Sequence, residues 1–232
     1  MAIAFDTRIN GFDFNGTGTT LTVAYTVASG GALLVYPQAT DGRDCTGVTY
    51  NGVAMTLVQT ILAPLSENQE TRCFALANAG DGASHNIVAT YAGAAGPLFR
   101  LEAISYTGAH AVTASLIGAN AATDFGDSET ATFDLAMSTG DLAVMHACSS
   151  PAGETWTPGS GVTERQDGSS ATFNAIYFVG EKSGTGTVTI SATATGFSGI
   201  VNGIAVVLKP ASEESVGSGS SRGRIYTYYG LH

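Results

Sequence analysis

The sequence predicts an all-β chain folded as an antiparallel sandwich or barrel. Three observations carry this. Helical periodicity is almost absent, short β-rich segments alternate with Gly, Asn, Asp and Ser, and Asn51-Gly52 stands between two strand-like runs. An apolar fraction of 44% is enough for a core, and a charged fraction of 12% is about half the usual share, which speaks against disorder of the body.

The elements follow in order. Thr20 to Val27 alternates, with Leu21, Val23, Tyr25 and Val27 on one face of a half-buried strand. Ala32 to Tyr36 is continuously apolar, as a strand buried on both faces should be. Asn51-Gly52 divides Thr46 to Val58 into a hairpin, because both residues tolerate positive φ. Arg72 to Leu76 precedes a turn at residues 78–82, and His85 to Tyr91 alternates again. Phe99 to Tyr106 sets Phe99, Leu101 and Ala103 opposite Arg100, Glu102 and Ile104. Later strands are expected at 131–136, 141–147, 162–166, 172–181, 185–194 and 200–208, about a dozen in all. Tyr50-Asn51-Gly52, Tyr91-Ala92-Gly93 and Tyr106-Thr107-Gly108 look alike but read as turn chemistry, so no exact internal repeat is expected.

Charge narrows the partners. A net charge of −10 argues against nucleic acid and against docking on anionic lipid. Residues 1–8 lack a basic and then apolar signal pattern, and no run reaches the length of a membrane span, so the expectation is a soluble product of cytoplasmic synthesis, or a mature chain from which a signal has been removed. Cys45, Cys73 and Cys148 form no C-x-x-C pair. Cys73 and Cys148 read as buried thiols, Cys45 reads as the reactive one in a polar loop, and one disulfide of unassigned pairing stays open.

The series Leu21 to Val27, Ala32 to Val35, Val48 to Thr56, Gly82 to Tyr91 and Ala103 to Gly108 resembles a widespread jelly-roll module with the look of a concanavalin-like sandwich. Gly140 to Val144, Thr163 to Arg165 and Gly203 to Pro210 continue it. Such modules occur in secreted bacterial and archaeal proteins and in tailed-phage virion proteins. The resemblance implies one jelly-roll β-sandwich over residues 1–211, and brings no catalytic residues with it.

Candidate chemistry is sparse. A glycosidase needs two carboxylates at a defined separation, and Asp124, Asp127 and Glu129 lie in a Gly-rich stretch that reads as a loop. That stretch and Asp41 to Asp44 offer oxygens for calcium without EF-hand spacing. His85, His110 and His146 lack zinc spacing, and Ser105, Ser149 and Ser150 lack a nucleophile elbow. No catalytic residue, cofactor or metal is therefore expected. Trp156, the only tryptophan, reads as a loop residue that either binds a glycan or plugs the end of the sandwich.

Residues 212–232 read as a flexible linker and a C-terminal docking arm. Ser212 to Ser221 is the spacer, and Arg222, Arg224, Ile225, Tyr226, Tyr228, Tyr229 and Leu231 are the partner-binding candidates. Alternating β-formers behind a Gly/Ser spacer suit addition to a sheet edge, and Tyr and Arg are favoured interface anchors. The expectation is a non-enzymatic virion-surface protein, a phage head decoration or fibre subunit in a multicopy or homo-oligomeric assembly. The alternative is an extracellular carbohydrate-binding module or adhesin using loops around Trp156 or residues 41–45.

Overall fold

A computed structural model describes residues 2–15, 18–39, 43–62, 70–93, 98–126, 128–150, 155–171, 175–195 and 200–211. The linker and arm at 212–232, and with them every partner-binding candidate, lie outside the described residues. The strands of the first half are β1 (Ala4–Asn15), β2 (Thr20–Thr26), β3 (Ala32–Ala39), β4 (Cys45–Tyr50), β5 (Val53–Ala54), β6 (Thr56–Leu62), β7 (Glu70–Leu76), β8 (Ser84–Tyr91) and β9 (Leu98–Thr107). After one short helix, α1 (Thr113–Leu116), come β10 (Ile117–Gly126), β11 (Thr130–Met137), β12 (Leu142–Ser150), β13 (Thr155–Pro158), β14 (Thr163–Ser170), β15 (Ala175–Ser183), β16 (Gly186–Thr195) and β17 (Ile200–Leu208).

The chain is all-β, with antiparallel sheets packed as two sandwich-like units where one sandwich was expected. The first unit opposes a sheet ordered β1-β9-β3-β7-β6 to one ordered β2-β8-β4-β5. The second opposes β10-β17-β12-β15-β14 to β11-β16-β13. Among the described residues the order is the same, except that β5 has no counterpart. Residues 20–39 superpose in register on 130–149: Thr20 pairs with Thr90 as Thr130 pairs with Thr193, and Leu34 pairs with Ile104 as Val144 pairs with Val206. Even a bulge recurs, between Leu57 and Gln59 in β6 and between Glu164 and Gln166 in β14. The fold therefore contains a structural repeat that is not an exact repeat of sequence, because backbone pairing is kept while the side chains diverge.

Alternation explains the smaller sheets. In β11, Ala131, Phe133, Leu135 and Met137 are buried while Thr132, Asp134 and Ala136 face water. In β2, Leu21 and Tyr25 point inward and Thr20, Thr22 and Thr26 outward. The larger sheets are covered on both faces, so β3 is buried along its whole length, as its apolar run predicts. Each unit has its own core between its sheets, around Leu33, Val35, Ile87 and Leu101 in the first and Phe133, Ile190, Phe178 and Val207 in the second. A third core lies between the two larger sheets and draws Leu34, Tyr36 and Ile104 from one unit and Val144, Ile204 and Val206 from the other. The units thus share a buried seam.

The predicted hairpin is present: Asn51 (φ 50°) and Gly52 (φ 73°) link β4 to β5. Three strands went unpredicted. They are β1, β10 and β13, the last of which contains Trp156. Asp124 was expected in a loop but lies in β10, paired with Asn202.

Candidate functional site

Titratable groups converge at the seam. β9 was expected to turn Arg100 and Glu102 away from the core, and it does turn them away from the core of the first unit. The second unit then covers them, leaving Arg100 3% and Glu102 1% exposed. The counterpart of Tyr36 in the repeat is His146, and the two rings stack across the seam at 4.8 Å and 17°. Equivalent residues meeting each other mark an approximate two-fold relation between the units.

Glu102 is the hub. Its Oε1 accepts hydrogen bonds from Arg100 Nη2 and Gln166 Nε2, both at 3.0 Å, and its Oε2 lies 2.5 Å from His146 Nε2. With its proton on Nε2, His146 donates to the carboxylate. Gln38 Nε2, itself a donor, faces the same ring nitrogen at 3.0 Å, so the two do not hydrogen-bond while the proton is on that nitrogen. The Arg100 guanidinium lies 3.7 Å from the centre of the Tyr177 ring, and Cys148 Sγ donates to Asn202 Oδ1 at 2.7 Å. Burial works to raise the Glu102 pKa, but His146 and Arg100 outweigh it and hold the carboxyl below its ordinary value. His146 is fully buried, so a substrate has no path to this hub without parting the units. Chemically, the hub is a buried ion cluster centred on Glu102, in which His146 Nδ1 has no hydrogen-bond partner among the described residues.

A second cluster lies where β4 and β7 begin. Arg72 pairs with Glu70 through Nε, reaches Asp44 at 3.4 Å and donates to the Cys45 carbonyl at 2.8 Å. Burial, joined by the neighbouring Asp44 carboxylate and opposed by Arg72, pushes Glu70 up to about 7. Cys45 is not a reactive loop thiol: it opens β4, is 2% exposed, and burial pushes its pKa up to about 12. Cys73 and Cys148 are buried as expected, and all three cysteines are free thiols.

Among the described residues the remaining candidates do not assemble; Asp41 and Asp127 lie outside the described residues. Trp156 is 3% exposed and packs 6.0 Å from Phe178 in the second core, so the plug alternative describes it and a loop position does not. His85 pairs with Asp81 at 3.0 Å on the surface. Ser105 bonds Asp6 and Tyr25 rather than a histidine. Among the described residues no group of three His, Cys, Asp or Glu side chains converges as a metal set, and no helix is long and apolar enough to cross a membrane. The sequence reading missed the hub because its residues come from five strands. The available signal was Arg100 and Glu102 alternating with Phe99, Leu101 and Ala103 on one strand.

Comparisons of the chain with protein-family models, with curated proteins and with solved structures return no match.

Proposed function

We propose that the chain is a structural, non-enzymatic protein of a tailed-phage virion surface, a head decoration or fibre subunit, held in a multicopy assembly by residues 222–231. We further propose that each unit is a jelly roll. Strand order supports this: β1-β9-β3-β7 lies against β2-β8-β4-β5, and β10-β17-β12-β15 against β11-β16-β13, as interlocked Greek keys arrange them. The observation that carries the structural reading is the joined pair. Two sandwiches joined over a buried carboxylate that Arg100, Gln166 and His146 all reach suit a shell or fibre better than a cleft that opens around a substrate. Host cytoplasm is then the place of synthesis and the particle surface the destination. A chain ending at Ala211 tests this against its native particle or filament in negative stain. It is expected to keep its circular dichroism spectrum and to be missing from the assembly; incorporation at the full-length level overturns the reading.

One observation favours the adhesin or carbohydrate-binding alternative. A shallow polar concavity of about 430 Å³ lies on the outer face of the first unit, lined by Thr49, Asn51, Ser84, His85 and Asn86. Hydroxyl and amide groups of this kind suit an uncharged glycan, and they relocate that reading from the buried Trp156. Glycan titration of Asn86→Ala against the unaltered protein decides it, since binding that is equal in both removes this site.

A further inference from the structure

The two ends of the seam are equivalent by the repeat but are filled differently. At one end, β14 meets β1. Arg165 pairs with Glu181, and its guanidinium lies 4.5 Å from the centre of the Phe5 ring. The shared bulge makes Val58 the counterpart of Arg165. Thr56 pairs with Ala75 as Thr163 pairs with Glu181, and Phe5 pairs with Tyr106 as Ile117 pairs with Leu208. At the other end, where β6 meets β10, three large side chains are therefore replaced by Val58, Ala75 and Ile117. The result is an open groove of about 230 Å³, closed on one side by Thr113 of α1.

This groove is an unfilled position in a body whose other copy of it is filled. Leu57, on its rim, is 45% exposed, and Val112, beside α1, is 55% exposed. β6 is the last strand of its sheet, so its outer edge pairs with no strand among the described residues. The described chain also ends nearby: Lys209 N–H bonds the Leu116 carbonyl at the end of α1, and Ala211 N–H bonds the Gly108 carbonyl. From there residues 212–221 form the Ser/Gly/Glu spacer, and the apolar set Ile225, Tyr226, Tyr228, Tyr229 and Leu231 follows. A short linker holds a tethered segment at about millimolar effective concentration, which favours its own chain over a second copy in dilute solution.

We propose that residues 224–231 of the same chain seat in this groove, adding along the free edge of β6 and covering Leu57, Val58 and Ile117 with apolar side chains. The free monomer thereby stores its arm, and a neighbour obtains it only by exchange. The inference rests on reading this segment as a docking arm. Its test uses the isolated full-length chain, so failure of the virion assignment leaves it standing. Two variants are compared with the unaltered protein by trypsin cleavage after Arg224 and by hydrogen exchange of residues 225–231. Val58→Arg/Ala75→Glu imports the ion pair found at the other end of the seam. Ile225→Asp/Leu231→Asp alters only the arm and leaves the groove intact. Cleavage is expected to be at least about tenfold faster in both variants, with lost exchange protection. Equal rates in the unaltered protein and the arm variant overturn the proposal. Protection that appears only with a dimer in sedimentation, and rises with concentration, overturns seating on the same chain.

Discussion

The two units share a strand order but bring different chemistry to their common seam. The first contributes Gln38, Arg100 and Glu102; at the same positions the second has Cys148, Asn202 and Ile204, bonded among themselves through Cys148 and Asn202. His146 sits where the first unit has Tyr36. The difference teaches that the fold tolerates exchange of polar for apolar residues on its inner face when the buried carboxylate is partnered, Glu102 by His146 and Gln166 across the seam, while Cys148 bonds Asn202 within its own unit.

Removing the hub should break this match most severely. Glu102→Ala leaves Arg100, Gln166 and His146 without their shared acceptor and is expected to cost about 3–5 kcal/mol by urea denaturation. A cost below about 1 kcal/mol would show that the ion cluster is not formed. The same carboxyl sets an acid limb. Its folded pKa lies below the ordinary value, so its contribution is complete above about pH 4.3 and is lost as pH falls through the lower folded value. Melting temperature followed down from pH 5 should fall more steeply for the unaltered protein than for Glu102→Gln.

The cores sharpen the comparison next. Trp156→Ala should cost about 3–5 kcal/mol, as expected for a large buried ring, and Trp156 fluorescence should be unmoved by glycans. The counterpart turns test equivalence directly. Gly30 (φ 72°) and Gly140 (φ 88°) occupy the same place between their strands, so Gly30→Ala and Gly140→Ala should each cost about 1–2 kcal/mol. Markedly unequal costs would mean that the turns are not equivalent in the native state. The smallest effect belongs to the surface: His85→Ala should change stability by less than about 1 kcal/mol, because Asp81 is 60% exposed.

Strands with one wet face or two dry ones were legible, because burial writes a period of two or a continuous apolar run. β1 and β10 were not, and they are counterparts. Both are edge strands interrupted by register shifts, between Phe5 and Thr7 and between Ile9 and Phe12 in one, and between Ile117 and Asn120 and between Asp124 and Gly126 in the other. Each shift resets the alternation before it becomes a pattern. The repeat escaped for a different reason. Between 20–39 and 130–149 only Thr20/Thr130, Thr22/Thr132 and Gly30/Gly140 are identical, so what is shared is hydrogen-bond register, which side chains do not report. The hub was half legible: Arg100 and Glu102 stood out on β9, but nothing in the chain announced His146 as their partner across the seam.

The placement of the hub also bears on how the protein is made. β1 closes against β9, so the first unit is complete once about residue 107 has emerged from the ribosome, before β10 to β17 exist. During that interval its seam face, later covered, is open to water. The ions on that face, Arg100 and Glu102, belong to the half that waits, while the half that arrives second supplies His146 and Gln166. The same face carries Leu34, Tyr36 and Ile104, so the second half both satisfies the waiting charges and buries an apolar surface that the nascent first half leaves open.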